Sequence, residues 1–77
     1  MITEHALVSL AKDLPSLGLI SGDVGTVVHI YPNAAAYEVE FVDAGGGTID
    51  VVTLTPEELH PLEHGHILHV RPLAKAA

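Results

Sequence analysis

The chain has 77 residues and a mass of 8.1 kDa, and it contains no cysteine. Ten acidic residues against three cationic ones give a formal charge of −7, and apolar residues make up 48% of the chain. The length leaves room for one domain, and the absence of cysteine excludes disulfides and cysteine metal sites. Nucleic acids and anionic membranes are disfavoured as partners, because proteins bind them through lysine and arginine, of which this chain has few.

Glycine and proline interrupt the chain at short intervals, which predicts short strands rather than long helices. Residues 5–10 form the first candidate strand, with a helix over residues 2–14 as the alternative because Ala, Leu and Lys favour helices. Residues 13–19 then predict a loop whose leucines fold back over the core. The second predicted strand covers residues 24–31, and Gly25 within it permits a bulge or a close backbone approach.

The third predicted strand shows the clearest pattern in the chain. Tyr37, Val39 and Phe41 alternate with Glu38 and Glu40. Since successive side chains of a strand point to opposite faces, this alternation predicts one apolar face and one acidic face.

A glycine-rich hairpin loop at residues 43–47 leads into a fourth predicted strand, residues 48–54. Thr55 and Glu58 then have the spacing of a capping box, with Pro56 at the first helical position. A proline three residues after Glu58 ends the helix within one turn. Residues 67–70, rich in apolar and β-branched side chains, predict a short fifth strand.

Four strands, one helical turn and a last short strand are the plan of an SH3-like barrel. We therefore predict an all-β, five-stranded SH3-like barrel with one helical turn before the last strand. Such barrels form from about 60 to 80 residues and fold alone. We assign residues 1–77 to this single domain, with a core over residues 5–72 and a short tail at residues 73–77.

Four phrases of the sequence carry a resemblance to a known family. They are LPxxGL at residues 14–19, GDVGTVV at 22–28, YEVEFVD at 37–43 and VTL at 52–54. Together they resemble the bacterial family called domain of unknown function 4926, over residues 7–62, and the His69-Val70-Arg71 ending is similar too. The histidine-rich segment, residues 60–69, departs from the family pattern.

The resemblance implies a small stand-alone bacterial protein with no established enzymatic activity. It also implies genes beside small toxin-like genes, and hence an antitoxin or immunity-type role. It supplies no catalytic residues for this chain.

Four histidines within ten residues are candidate metal ligands. Neutral imidazole binds zinc, nickel and copper, and short histidine-rich tracts are typical of metal binding. The alternatives are solvated or hydrogen-bonded histidines, and histidines that act as a pH switch. The candidate metal ligands are His60, His64, His66 and His69.

Glu38, Glu40 and Asp50 are the candidate partner-binding residues. Paired carboxylates catalyse glycoside hydrolysis in other proteins, but here a solvated sheet face that docks basic side chains explains them better. The triglycine loop lacks the lysine of a phosphate-binding loop, and no serine has a recognisable catalytic partner. We therefore assign no catalytic residue.

The sequence leads to two hypotheses on function. The first is a non-enzymatic protein-binding module: an antitoxin or immunity-type protein with a basic toxin-like partner, an accessory partner protein, or a self-associating homo-oligomer. The alternative is a metal-binding or metal-sensing protein that uses the histidines. With no basic leader and no apolar stretch of about 20 residues, we expect a cytoplasmic protein.

Overall fold

The computed structural model describes residues 2–73, which form one antiparallel sheet and three short 3₁₀ turns. The strands are β1 (Leu7–Leu10), β2 (Val24–Ile30), β3 (Tyr37–Val42), β4 (Thr48–Leu54) and β5 (Leu59–Pro61), and the turns are Pro15–Leu17, Pro32–Ala34 and Pro56–Glu58. No helical segment in this part of the chain is long and apolar enough to cross a membrane.

The strands lie in the order β4-β3-β2-β1-β5. Consecutive strands pair from β1 to β4, and β5 returns to pair with β1 after the turn Pro56–Glu58. Irregular register in the β2–β3 and β3–β4 pairs marks bulges, which bend and twist a sheet. This order, with the single turn before the last strand, is that of an SH3-like barrel and confirms the predicted fold class. The first apolar run is a strand, not the alternative helix.

The predicted position of the fifth strand, residues 67–70, is wrong. The chain leaves the turn at Leu59 in extended conformation and pairs at once with β1, with Leu59 opposite Leu10. Burial of Leu59 decides the position, because its side chain reaches the core directly after the turn. Residues 67–70 form no strand, and Ile67 is 91% exposed. These residues have a strand-forming composition, but they pair with no strand in the described part of the chain.

The capping box predicted at the last turn is present. The backbone N–H of Thr55 donates to the Glu58 carboxylate at 2.9 Å, and Pro56 occupies the first helical position. This bond is the main cause that lowers the pKa of Glu58, whose carboxylate also pairs with Lys12 at 3.3 Å. The turn thus orients the chain that enters β5.

The core lies along the alternate side chains of β3, as predicted. Tyr37, Val39 and Phe41 are all buried, with Val39 paired to Val27 on one side and to Val52 on the other. Two of the three loop leucines also fold over this core: Leu19 is buried and Leu14 packs against the core, because their backbones exchange hydrogen bonds. The prediction is wrong for Leu17, which is exposed. The buried core residues are Val8, Leu10, Leu19, Val27, Tyr37, Val39, Phe41, Leu54 and Leu59.

Gly25 allows β2 to approach the core side chains of β3 closely. A Cβ at this position would lie 2.6 Å from Cγ1 of Val39, and 3.0 Å from both the Glu40 carbonyl oxygen and Cε1 of Phe41. Contacts this short require other atoms to move, and one of them is backbone. The close approach predicted for Gly25 is therefore confirmed.

We expect Gly25→Ala to lower the free energy of unfolding by about 1–3 kcal/mol, the usual cost of overpacking a core. Gly45→Ala is the matched control, because its Cβ would meet only the Asp43 carboxylate, at 3.4 Å. Urea denaturation of both variants measures the difference. Equal stability of the two variants would contradict the close approach.

Candidate functional site

The outer face of β3 carries the two glutamates that the sequence assigns to partner binding. Glu38 and Glu40 alternate with the buried side chains of the strand and are half-buried themselves. Across the sheet, Glu38 lies opposite Thr53, and Glu40 lies opposite Val51. The "acidic face" below means Glu38 and Glu40 together with Val51 and Thr53.

Two hydroxyl groups hold the Glu38 carboxylate in place. Thr53 Oγ1 donates to Glu38 Oε2 at 2.6 Å, and the Tyr31 hydroxyl donates to the same oxygen at 2.5 Å. These bonds, Thr53 first and Tyr31 second, lower the pKa of Glu38, with a smaller contribution from the charge of His29. The same contact raises the pKa of Tyr31, because the carboxylate disfavours a phenolate beside it. Glu38 is therefore ionised at neutral pH and has a fixed orientation.

The other glutamate is held in a similar way. Thr48 Oγ1 donates to Glu40 Oε2 at 2.7 Å. Each carboxylate of the acidic face thus accepts a hydroxyl from a threonine on β4, which limits the rotamers of both side chains.

Asp50 does not share this face. The register places it opposite Phe41, whose side chain is buried, and a bulge follows at once. Its carboxylate accepts the backbone N–H of Val51 at 2.8 Å, which ties it to the local backbone of β4. The structure thus brings together two of the three acidic residues assigned to partner binding.

No cationic side chain within residues 2–73 pairs with the acidic face. The two salt bridges in this part of the chain join Lys12 to Glu58 and Arg71 to Asp23. Both charges of the acidic face are therefore open to a cation from another molecule.

Three polar side chains that hold the glutamates were not predicted from the sequence. Tyr31 lies just after β2, and its ring makes an edge-to-face contact with His29, with centroids 4.7 Å apart. Thr48 and Thr53 are ordinary strand residues in the sequence. Only the register of β3 against β4 identifies them, because it puts each near a glutamate.

The histidines proposed as metal ligands lie in separate places. His60 is an exposed residue of β5, and His64 and His66 line one groove beside Leu68. His69 lines a different groove beside Phe41. The Nδ1 atom of His66 accepts the backbone N–H of Glu63 at 3.0 Å, which occupies one of its two ring nitrogens.

Among residues 2–73, no group of three or more histidine or acidic side chains has the arrangement needed to hold a metal ion. Metal binding by the histidines stays a prediction. Calorimetric titration with zinc, nickel and copper tests it, with His64→Ala and His66→Ala combined as the control.

Arg71 fastens the end of the described chain to the barrel. Its Nε and Nη2 atoms donate to the two carboxylate oxygens of Asp23, at 2.8 and 2.5 Å, and Nη2 also donates to the Gly18 carbonyl oxygen at 2.9 Å. A bidentate pair of this kind fixes direction as well as distance. The hydrogen bonds from Arg71 are the main cause that lowers the pKa of Asp23.

A family model described as Domain of unknown function (DUF4926) matches residues 4–61. The chain belongs to this family. The match includes the acidic face and ends at the last residue of β5, so the predicted likeness of the His69-Val70-Arg71 ending lies outside the matched span. No curated protein and no solved structure matches the chain.

The Arg71–Asp23 pair of this family member predicts a pH-dependent stability. Because the pKa of Asp23 is lower in the folded state than its ordinary value of 3.8, the pair stabilises the fold fully above that value. The contribution is lost as the pH falls through the folded-state pKa. We expect Asp23→Asn to be less stable than the natural chain at neutral pH, and the gap to close in acid.

Urea denaturation of both chains from neutral to strongly acidic pH measures this gap. Glu57→Gln serves as the control, because it removes an exposed carboxylate that no salt bridge uses in the described part of the chain. A gap that keeps its size in strong acid would show that the ionised pair is not its source.

The hydroxyl contacts of the acidic face predict two pKa changes. We expect Thr53→Val to raise the pKa of Glu38 toward its ordinary value, and Tyr31→Phe to raise it by less, in the order of their contributions. Thr48→Val is the matched control, since it removes the same group from Glu40 and leaves Glu38 untouched. Carboxyl-carbon NMR titration measures each value, and an unchanged Glu38 pKa in Thr53→Val would contradict the arrangement.

Proposed function

We propose that this family member is a non-enzymatic protein-binding module whose acidic face docks basic side chains of a protein partner. One observation carries the proposal. Two carboxylates stand side by side on an open sheet face, each fixed by a β4 threonine, and neither pairs with a cation within residues 2–73.

Fixed carboxylates favour binding for a physical reason. Two free glutamates lose side-chain entropy when a partner orders them, whereas here the hydroxyls of Thr53 and Thr48 have already limited their rotation. Their charge attracts arginine or lysine during approach and fixes the register of the complex. Val51, which is 47% exposed beside them, adds an apolar contact.

The partner class follows from this chemistry. An arginine-bearing surface suits the acidic face, since a guanidinium donates two parallel hydrogen bonds to a carboxylate. A basic toxin-like protein, which the antitoxin or immunity-type role would require, fits this description. An accessory protein with a basic patch and a second copy of this chain also fit it.

Binding of a fluorescent arginine-rich peptide tests the acidic face directly. We expect Glu38→Gln combined with Glu40→Gln to weaken binding about tenfold, equivalent to about 1.4 kcal/mol for two charge-assisted contacts. The matched control combines Glu4→Gln with Glu57→Gln, which removes the same net charge from two exposed positions away from β3.

The comparison of the two double variants decides the result. If the peptide binds only through the overall negative charge of the chain, the two double variants weaken binding equally. That result would overturn the proposal. Retention of a protein from the native host by the natural chain, lost in the Glu38 and Glu40 variant alone, would support it.

A further inference from the structure

We propose that His29 makes the acidic face sensitive to pH, because protonation of its ring weakens the binding of a basic partner. This effect is called the His29 switch below. It rests on the function proposed above and concerns the regulation of the same site. Histidine is the side chain whose charge ordinarily changes between pH 5 and 8. The partner therefore binds best near neutral pH and is released as the solution becomes acidic.

A β-bulge places His29 beside the acidic face. Val27 and Val39 lie opposite each other, and both are buried. Since successive side chains alternate, an unbroken β2 would turn Val28 outward, opposite Glu38, and His29 inward. The register instead shifts after Val27, and His29 becomes the residue opposite Glu38. Bulges re-aim side chains in this way and are frequent next to active sites.

The same bulge brings Tyr31 to the outer face. After the shift, Ile30 lies opposite Tyr37 and packs against the core. The residues on either side of Ile30, which are His29 and Tyr31, therefore point outward. Their rings make the edge-to-face contact, and the Tyr31 hydroxyl donates to Glu38. One shift in register thus assembles an imidazole, a phenol and a carboxylate into a single cluster.

A protonated His29 competes with a basic partner for the same acceptor. Directly opposite residues of an antiparallel pair have Cβ atoms about 5 Å apart, so the His29 ring can reach the Glu38 carboxylate. The hydroxyls of Tyr31 and Thr53 both donate to Oε2 of Glu38, and Oε1 accepts no hydrogen bond within residues 2–73. Neither salt bridge in this part of the chain includes His29. Oε1 is therefore open to a partner's cation, or to an imidazolium N–H once the ring is protonated.

The titratable groups near His29 come from β3, from the end of β2 and from the stretch that precedes β1. They are Glu38 and Glu40, Tyr31, and Glu4 and His5. The stretch before β1 runs beside β2, because the His5 N–H donates to the Val27 carbonyl oxygen at 2.7 Å. Histidine is the only residue type in this set that ordinarily changes charge between pH 5 and 8. His5 is therefore the group against which His29 must be compared.

The ionisation of Glu38 reflects its coupling to His29. Its pKa is lowered mainly by the hydroxyls of Thr53 and Tyr31, and the charge of His29 lowers it further. Glu38 therefore keeps its charge over the range in which histidine titrates. The protonated cluster thus contains a carboxylate and a cation side by side, where the neutral cluster presents a carboxylate alone.

Binding of the arginine-rich peptide at about pH 7.5 and about pH 5.5 tests the proposal, because arginine keeps its charge throughout this range. A chelator keeps metal ions out of the measurement. We expect the natural chain to bind the peptide about fivefold more weakly at the lower pH, as one added charge close to the contact implies. His29→Gln loses most of this difference, and His29→Lys, a permanent cation, binds weakly at both pH values. Circular dichroism checks that each variant is folded.

His5→Gln is the matched control, since it removes the same kind of titrating group from the neighbouring stretch. His5 lies two strand spacings, about 10 Å, from β3, which is beyond the screening length of about 8 Å. We expect this variant to keep the pH response of the natural chain. A response reduced equally in His5→Gln and His29→Gln would come from the overall charge of the histidines and would overturn the proposal.

NMR titration gives a second readout that needs no partner. We expect the carboxyl-carbon signal of Glu38 to shift as the histidines gain protons in the natural chain and in His5→Gln. The shift disappears in His29→Gln. A Glu38 signal that stays constant in the natural chain over this range would show that the two side chains are not coupled, and the His29 switch would then be wrong.

The outcomes separate the His29 switch from the proposed function. If the peptide binds through Glu38 and Glu40 but His29→Gln keeps the full pH response, the proposed function stands and the switch falls. The same holds if His29→Lys binds as tightly as the natural chain near neutral pH. If the combined Glu38→Gln and Glu40→Gln change weakens binding no more than its matched control does, both proposals fall.

Discussion

Burial of Val39 between β2 and β4 is the constraint on which the rest of the structure depends. Its pairs with Val27 and Val52 set the register of three strands around one point of the core. Because successive side chains of a strand point to opposite faces, the same register that buries Val39 also turns Glu38 and Glu40 outward. Gly25 belongs to this constraint, since only a residue without a side chain lets β2 pack as closely as the core demands.

The outward face acquires its chemistry from the neighbouring strand. β3 supplies the carboxylates, and the threonines of β4 supply the hydroxyls that hold them. On a solvated acidic strand without these hydroxyls, the glutamate side chains would be mobile and their carboxylates would not point in a fixed direction. Held by hydroxyls, the carboxylates present fixed acceptors, which is what the proposed docking function requires.

The C-terminal end of the described chain differs in character from the barrel. All ten Asp and Glu residues precede residue 64, whereas Ile67, Leu68 and Val70 after it are 91%, 63% and 85% exposed. Arg71 joins this end of the chain to the barrel through Asp23. An ion pair inside the molecule thus fixes a segment whose apolar side chains the barrel leaves exposed.

Patterns that depend on neighbouring residues could be read from the sequence. They include the alternation in β3 and the capping box at Thr55, because each follows from local geometry. Gly25 indicated a bulge or a close approach, and its packing against β3 decided for the close approach. Residues 67–70 show the limit of such patterns. They have strand composition, but Leu59 comes first after the turn and reaches the core, so it forms β5 instead. Composition states which residues favour a strand, whereas burial decides which of them obtain a partner.

The sequence by itself thus determined an all-β barrel and an acidic strand face, and its charge predicts a chain unsuited to phosphate-rich partners. Only the tertiary structure decided that Thr48 and Thr53 hold the glutamates, that Asp50 lies apart from them, and that the candidate histidines are divided between grooves. The physical reason is that the alternation of side chains can be read within a single strand, and the net charge can be read from the composition. Cross-strand register, by contrast, joins residues far apart in sequence, and the packing of the whole core sets it.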